Sequence, residues 1–186
     1  INNIYKEEYY SKEKPNYLKE YTEDLEWWRT IYKSRLEKLR NNCEKTNLEL
    51  KILDIGSGPG RFVECAKDLG WDAVGIEPNT IAWKFSTEEL GLNIINEFFN
   101  FELLKKVSPS VINLGEVIEH LNNPIEILEM CYKSLPKNGL ISIVVPNDFN
   151  LLQFFVNEIT STRKNWFIDI PHHINYFNQQ SLSNVL

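Results

Sequence analysis

The sequence contains no uninterrupted apolar run near the roughly 18–20 residues that a membrane-spanning helix needs, and no signal-peptide pattern opens it. Cysteine is scarce. Cys43, Cys65 and Cys131 are odd in number, scattered, and form no C-x-x-C pair, so they read as reduced thiols rather than a disulfide framework or a zinc site. Excess positive charge is also missing: a net charge of −6 argues against broad, sequence-independent attraction to nucleic acid. Histidine is limited to His120, His172 and His173, so imidazole chemistry can come from only two places in the chain. What remains is an ordinary soluble composition, 42% hydrophobic over 186 residues, enough for one domain with a sizeable core and a cytoplasmic location by default. Residue 1 is Ile rather than Met, so the expectation is a segment of a longer chain.

The stretch from Lys51 to Asn79, KILDIGSGPGRFVECAKDLGWDAVGIEPN, organises the rest. Ile52–Ile55 is a short apolar run, followed by glycines at 56, 58 and 60 and a helical pattern to Leu69. Gly70 stops that helix, and the second apolar run, Ala73–Ile76, ends on Glu77. Strand, glycine turn, helix and strand make one βαβ unit, which holds a nucleotide-like ligand at the carboxyl end of its first strand. Glycine permits backbone angles that a side chain forbids and lets a ligand approach the main chain. Glu77 is placed to accept hydrogen bonds from two vicinal ribose hydroxyls. A dinucleotide fingerprint reads G-x-G-x-x-G. Here the third glycine comes one residue early, and Asp54 lies two residues before the first.

That pattern, Asp54-x-Gly56-x-Gly58-x-Gly60 with an acid at the end of the second strand, resembles the first motif of class I S-adenosylmethionine-dependent methyltransferases. The resemblance implies that Gly56 and Gly58 contact the cofactor through the backbone, that Asp54 helps hold the methionine amine, and that Glu77 holds the ribose. It extends the cofactor contacts to Ser57, Pro78, Leu114 and Glu116. Asn96 or Glu97, just after the short third strand at Leu92–Ile95, would recognise the adenine, with a plain exposed loop as the alternative. A second block, VINLGEVIEHLNNPIEILEMCYKSLPKNGLISIVVPN, resembles the second half of the same core, and the likeness covers about residues 51–147. The fold expected is therefore an α/β, three-layer α/β/α Rossmann-like methyltransferase fold with a mostly parallel sheet. The family's two last strands are expected to be missing from this chain.

Three parts follow: an N-terminal helical cap or lid over 1–50, the cofactor-binding core over 51–147, and an acceptor-side segment over 148–186. Tyr5, Tyr9, Tyr10, Tyr17 and Tyr21 make a candidate lid. Leu25, Trp28, Ile31, Tyr32, Leu36 and Leu39 recur at three- and four-residue steps and predict a helix, with Thr22, Glu23 and Asp24 at its start. Pro78-Asn79-Thr80 caps a helix reaching about Leu90, Pro124 opens another to about Leu135, and Leu140–Val145 is a buried fifth strand. Residues 148–177 carry seven aromatics and no clear strand, and Asn178 caps a last helix. Arg163 and Lys164 could meet a phosphate or carboxylate, or lie in a solvated loop.

The histidines fall at the carboxyl ends of the strands, where open α/β sheets bind ligands. Three readings are open there. Glu116, Glu119 and His120 stand at i, i+3 and i+4, so one helical turn would put them on one face as ligands for a divalent cation, with His172 or His173 completing the shell. The segment E-V-I-E-H resembles the metal-binding segment of small-RNA 3′-terminal 2′-O-methyltransferases and is similar to that of ubiquinone-pathway O-methyltransferases. Alternatively His120, His172 or His173 acts as a general base. In the third reading Glu119 or His120 caps the following helix and ties the fourth strand to its loop.

The expected function is transfer of a methyl group from S-adenosylmethionine to an oxygen or nitrogen nucleophile of a small metabolite or sugar-type acceptor, with no membrane or nucleic-acid partner. A non-catalytic cofactor-binding or regulatory subunit is the rival. A nicotinamide-dependent oxidoreductase is a more distant third, disfavoured by the glycine spacing.

Overall fold

Short β-branched runs alternating with helical segments favour parallel pairing through right-handed crossovers. The computed structural model, which describes residues 24–160, 168 and 172–186, has this arrangement. In chain order the elements are α1 (Leu25–Thr46), β1 (Lys51–Ile55), α2 (Arg61–Asp68), β2 (Asp72–Ile76), α3 (Thr80–Lys84), β3 (Ile94–Ile95), α4 (Phe101–Val107), β4 (Val111–Gly115), α5 (Pro124–Ser134), β5 (Leu140–Val144), α6 (Leu151–Thr160) and α7 (Gln179–Val185). The strands lie in the order β3-β2-β1-β4-β5, and every neighbouring pair is parallel. Five strands are described in the sheet.

Alternation along each strand divides the core between the two faces. Ile52 and Val111 point to one side, where Leu36 and Cys43 of α1 pack with Phe62, Ala66 and Trp71. Leu53, Ile55, Ile112 and Leu114 point to the other, against Leu104 of α4 and Leu128 and Cys131 of α5. Helix, sheet and helix make the three layers of the Rossmann-like class. All three cysteines are buried and unpaired. No helix among the described residues is long and apolar enough to cross a membrane.

Several boundaries differ from the sequence expectation. Helix α1 begins at Leu25, and Asp24 occupies the position before it in left-handed backbone without a side-chain cap. Thr22, Glu23 and the candidate lid tyrosines lie outside the described residues, as do Arg163 and Lys164. The third strand contracts to Ile94–Ile95. The helix expected to reach about Leu90 does run to Glu89, but only Thr80–Lys84 is α-helical, and Phe85–Glu89 winds as a π-type turn. Strand β5 is half-buried throughout rather than buried, because it pairs with β4 alone at the end of the described sheet. Helices α4 and α6 were not expected. The large apolar side chains of α6 (Leu151, Leu152, Phe154, Phe155 and Ile159) are exposed. Helix α7 does follow the sequence, with Asn178 and Ser181 forming a reciprocal capping box.

Candidate functional site

The glycine turn closes at the carboxyl end of β1. Gly56, Gly58 and Gly60 have φ of 71°, 52° and 91°, the left-handed region that a side chain disfavours. The amides of Gly56 and Ser57 both donate to the Ile76 carbonyl, at 2.9 and 3.0 Å, which fastens the turn to the end of β2. Glu77 completes the closure. Its Oε2 accepts the Gly58 amide at 2.8 Å and its Oε1 the Asn79 amide at 2.7 Å. Asn79 caps α3, its Oδ1 accepting from Ile81 and Ala82. Burial pushes the Glu77 carboxyl up to about 7, and its two amide donors only partly offset this.

Asp54 sits beside it, 5% exposed on β1. It accepts a 2.7 Å hydrogen bond from Asn113 Nδ2 on β4, its register partner. Burial raises the Asp54 carboxyl to about 7, against that bond and the positive charge of Arg35. Arg35 belongs to α1; its guanidinium lies 5.8 Å from the Phe62 ring and near enough to Gly115 that a Cβ there would meet Nη1 at 3.8 Å. Neither Arg35 nor Asn113 was singled out from sequence. The signal for Asn113 was available: an amide inside the apolar run V-I-N-L needs a buried partner. Ser57 is buried with its hydroxyl unpartnered among the described residues.

On the other side of Glu77, Pro78, Asn96, Glu97 and Phe98 line a cavity of about 320 Å³. The Asn96 amide nitrogen donates to the Glu77 carbonyl at 2.8 Å, so this side chain is already committed to the backbone, while Glu97 is exposed. Leu114 is fully buried in the core, leaving only its main chain to face a ligand.

Beyond β4 the expected helical turn over 116–120 does not form. Glu116 takes left-handed backbone, φ 57°, and is exposed, and only Ile118–His120 makes a 3₁₀ turn. Among the described residues the donor atoms that come within 4.8 Å of one another belong to Glu119, His120 and His173, with Glu116 left outside that group. Glu119 does not cap α5; Asn123 occupies that position, with no side-chain cap. The Glu119 carboxyl is 1% exposed, and neither oxygen has a hydrogen-bond partner among the described residues. Burial pushes it up to about 7; the nearby backbone amide of Glu119 itself partly offsets this, and the charges of Glu116 and Asp148 add to the rise. Asp148, missed from sequence, is 2% exposed, and its Oδ2 has no hydrogen-bond partner among the described residues.

His120 Nδ1 lies 2.7 Å from the carbonyl oxygen of His172, which can only accept, so Nδ1 carries the proton and Nε2 is the basic nitrogen. The His120 and His173 rings meet edge to face at 4.8 Å, and His173 Nδ1 is buried with no hydrogen-bond partner among the described residues. A buried acid with no hydrogen-bond partner among the described residues, beside two imidazoles, suits a divalent cation or a ligand that brings hydrogen-bond donors of its own.

A family model described as a methyltransferase domain matches residues 25–186. The ubiquinone biosynthesis O-methyltransferase of Pelagibacter ubique is 33% identical over 114 residues, which are 59% of this chain and 47% of that protein. The chain thus spans about half the length of the curated relatives it matches. Among solved structures, a SAM-dependent methyltransferase from Archaeoglobus fulgidus is 25% identical with a TM-score of 0.58, covering 84% of this chain and 66% of that one. The plantazolicin methyltransferase BamL, solved with a triazolic desmethylPZN analog and SAH, shares the fold at 18% identity with a TM-score of 0.69, covering all of this chain and 69% of its own.

Proposed function

The chain belongs to the methyltransferase-domain family, and from that premise we propose that it moves a methyl group from S-adenosylmethionine to an oxygen nucleophile of a small-molecule acceptor. The observation that carries this reading is the closure of the glycine turn by Glu77 beside buried Asp54. One site then offers bare backbone, an acceptor for ribose hydroxyls and an acceptor for an ammonium group. The relatives named as O-methyltransferases support oxygen over nitrogen.

Bound S-adenosylmethionine supplies an activated methyl group on a sulfonium centre. The protein's own part is binding and orientation, which supply much of the rate in a direct displacement. Asp54 would take the amine, Arg35 the carboxylate, Glu77 the ribose, and the Asn96–Phe98 wall the base. His120 Nε2 would receive the proton that the acceptor hydroxyl loses as its oxygen lone pair attacks the methyl carbon and the sulfur–carbon pair returns to sulfur. Calorimetric titration with S-adenosylhomocysteine tests the reading. Micromolar binding is expected, and absence of binding to a folded sample would sink it.

A second reading is favoured by the compact group of Glu119, His120 and His173. These residues would hold a divalent cation through one carboxylate and two imidazoles. The bond between His120 Nδ1 and the His172 carbonyl would orient Nε2 for the metal, as backbone carbonyls commonly do for ligating histidines. A cation there would supply a Lewis-acid contact for the acceptor hydroxyl. Zinc titration followed by calorimetry decides it: uptake that His173→Ala abolishes supports the site, and no uptake removes it.

A further inference from the structure

We infer that Asn175 is a positioning residue for the acceptor-side cluster: its side-chain amide holds residues 172–177 in the register that sets His173 against His120 and Glu119. The inference rests on reading that cluster as the acceptor side of the site.

The stretch 173–177 has no helix or strand to satisfy its backbone, so its donors and acceptors must find partners elsewhere. They find them on the short turn after β4. The amides of Ile174 and Asn175 both donate to the Glu119 carbonyl, at 3.0 and 2.9 Å. Asn175 Nδ2 donates to the carbonyls of Leu121 and Ile118, at 2.6 and 3.2 Å. These two carbonyls flank Glu119 and His120 in the chain, so one side chain grips the turn on both sides of the proposed site. His172 adds its carbonyl to His120 Nδ1, and the Phe177 carbonyl accepts the Asp148 amide at 2.7 Å, fixing the far end. His173 lies between these fastenings.

The chemistry of the grip is specific to an amide. Aspartate has the same shape but no donor when ionised, alanine has neither donor nor acceptor, and glutamine carries its amide one methylene further out. Asn175 therefore acts through His173 and His120.

The test uses the full chain with ¹⁵N-labelled histidine, which gives only three imidazoles to assign. Ring centroids at 4.8 Å predict a cross-relaxation peak between the His120 and His173 rings in the wild type. That peak should vanish in Asn175→Ala and Asn175→Asp and survive in Asn178→Ala, which removes the α7 cap from the same stretch. Affinity for S-adenosylhomocysteine should change less than twofold in Asn175→Ala, whereas zinc affinity should fall at least tenfold. An inter-ring peak that survives in Asn175→Ala overturns the inference. If the wild type takes up no zinc, the metal reading fails and the ring peak alone decides. If both Asn175 variants fail to fold, amide exchange in the wild type decides: protection of Ile174 and Asn175 comparable with β4 supports the inference, and exchange at the rate of an exposed loop overturns it.

Discussion

Glu77 and Gly58 are 19 residues apart in the chain, and the 2.8 Å bond between carboxylate and amide draws the glycine turn onto the end of β2. The same acid therefore shapes the turn and faces the proposed ribose position.

Glu77→Gln retains the size of the side chain but cannot accept at both of its ends. Hydrogen bonds to charged groups contribute about 1.5–3 kcal/mol. Affinity for S-adenosylhomocysteine should fall about ten- to hundredfold, measured by calorimetry, with the thermal midpoint lowered as the turn loosens. An unchanged affinity would remove Glu77 from the site.

Asp54→Asn should give opposite effects on binding and stability. The folded carboxyl titrates near 7, above the ordinary 3.8. Its contribution to stability is thus fully present below about pH 4 and is lost as pH rises through 7. Removing the charge should stabilise the ligand-free protein by on the order of 1–3 kcal/mol at pH 8, and by little at pH 4. Denaturant melts at the two pH values check the sign, and ligand affinity should fall in parallel.

Glu119→Gln carries the same sign, because burial has also raised that carboxyl to about 7. The metal-free variant should melt at a higher temperature than wild type at pH 8. Any rise in midpoint that zinc produces in the wild type should be absent in the variant.

Gly60 and Gly70 both sit at positive φ, 91° and 79°, but in different surroundings. A Cβ on Gly60 would approach Leu92 Cδ1 to 2.5 Å, whereas none on Gly70 would meet anything within 4 Å. Gly70→Ala should cost about 1 kcal/mol from backbone strain alone. Gly60→Ala should cost about 1–3 kcal/mol more through overpacking. Equal losses in chemical denaturation would contradict the packing described around the turn.

The βαβ unit was legible because its determinants are local: glycines where φ must be positive, an acid before them and another after β2. Asn178 was legible for the same reason, since a cap needs only the next three residues. The region after β4 was not. Spacing alone placed Glu116, Glu119 and His120 on one helical face, but the left-handed backbone at Glu116 keeps it out of the turn, and His173 joins the group instead. The bonds that bring His173 there, from His172 to His120 and from Asn175 to Ile118 and Leu121, span 52, 57 and 54 residues, which no periodicity records. Arg35 was hidden within the periodic pattern of α1, where a cation beside the apolar stripe looks like solvent-facing charge. Helix α6 was passed over although Gln153, Asn157 and Thr160 recur at helical steps opposite its apolar residues.

Asp54 and Glu77, two buried acids both pushed up to about 7, would make the ligand-free site a proton reservoir at neutral pH. A ligand whose ammonium and hydroxyl groups favour the ionised carboxylates must release those protons to the solvent. The heat of binding would then include the ionisation of whatever buffer takes them up. Titrations in phosphate and in Tris should give the same affinity at one pH yet different enthalpies, and the difference counts the protons released.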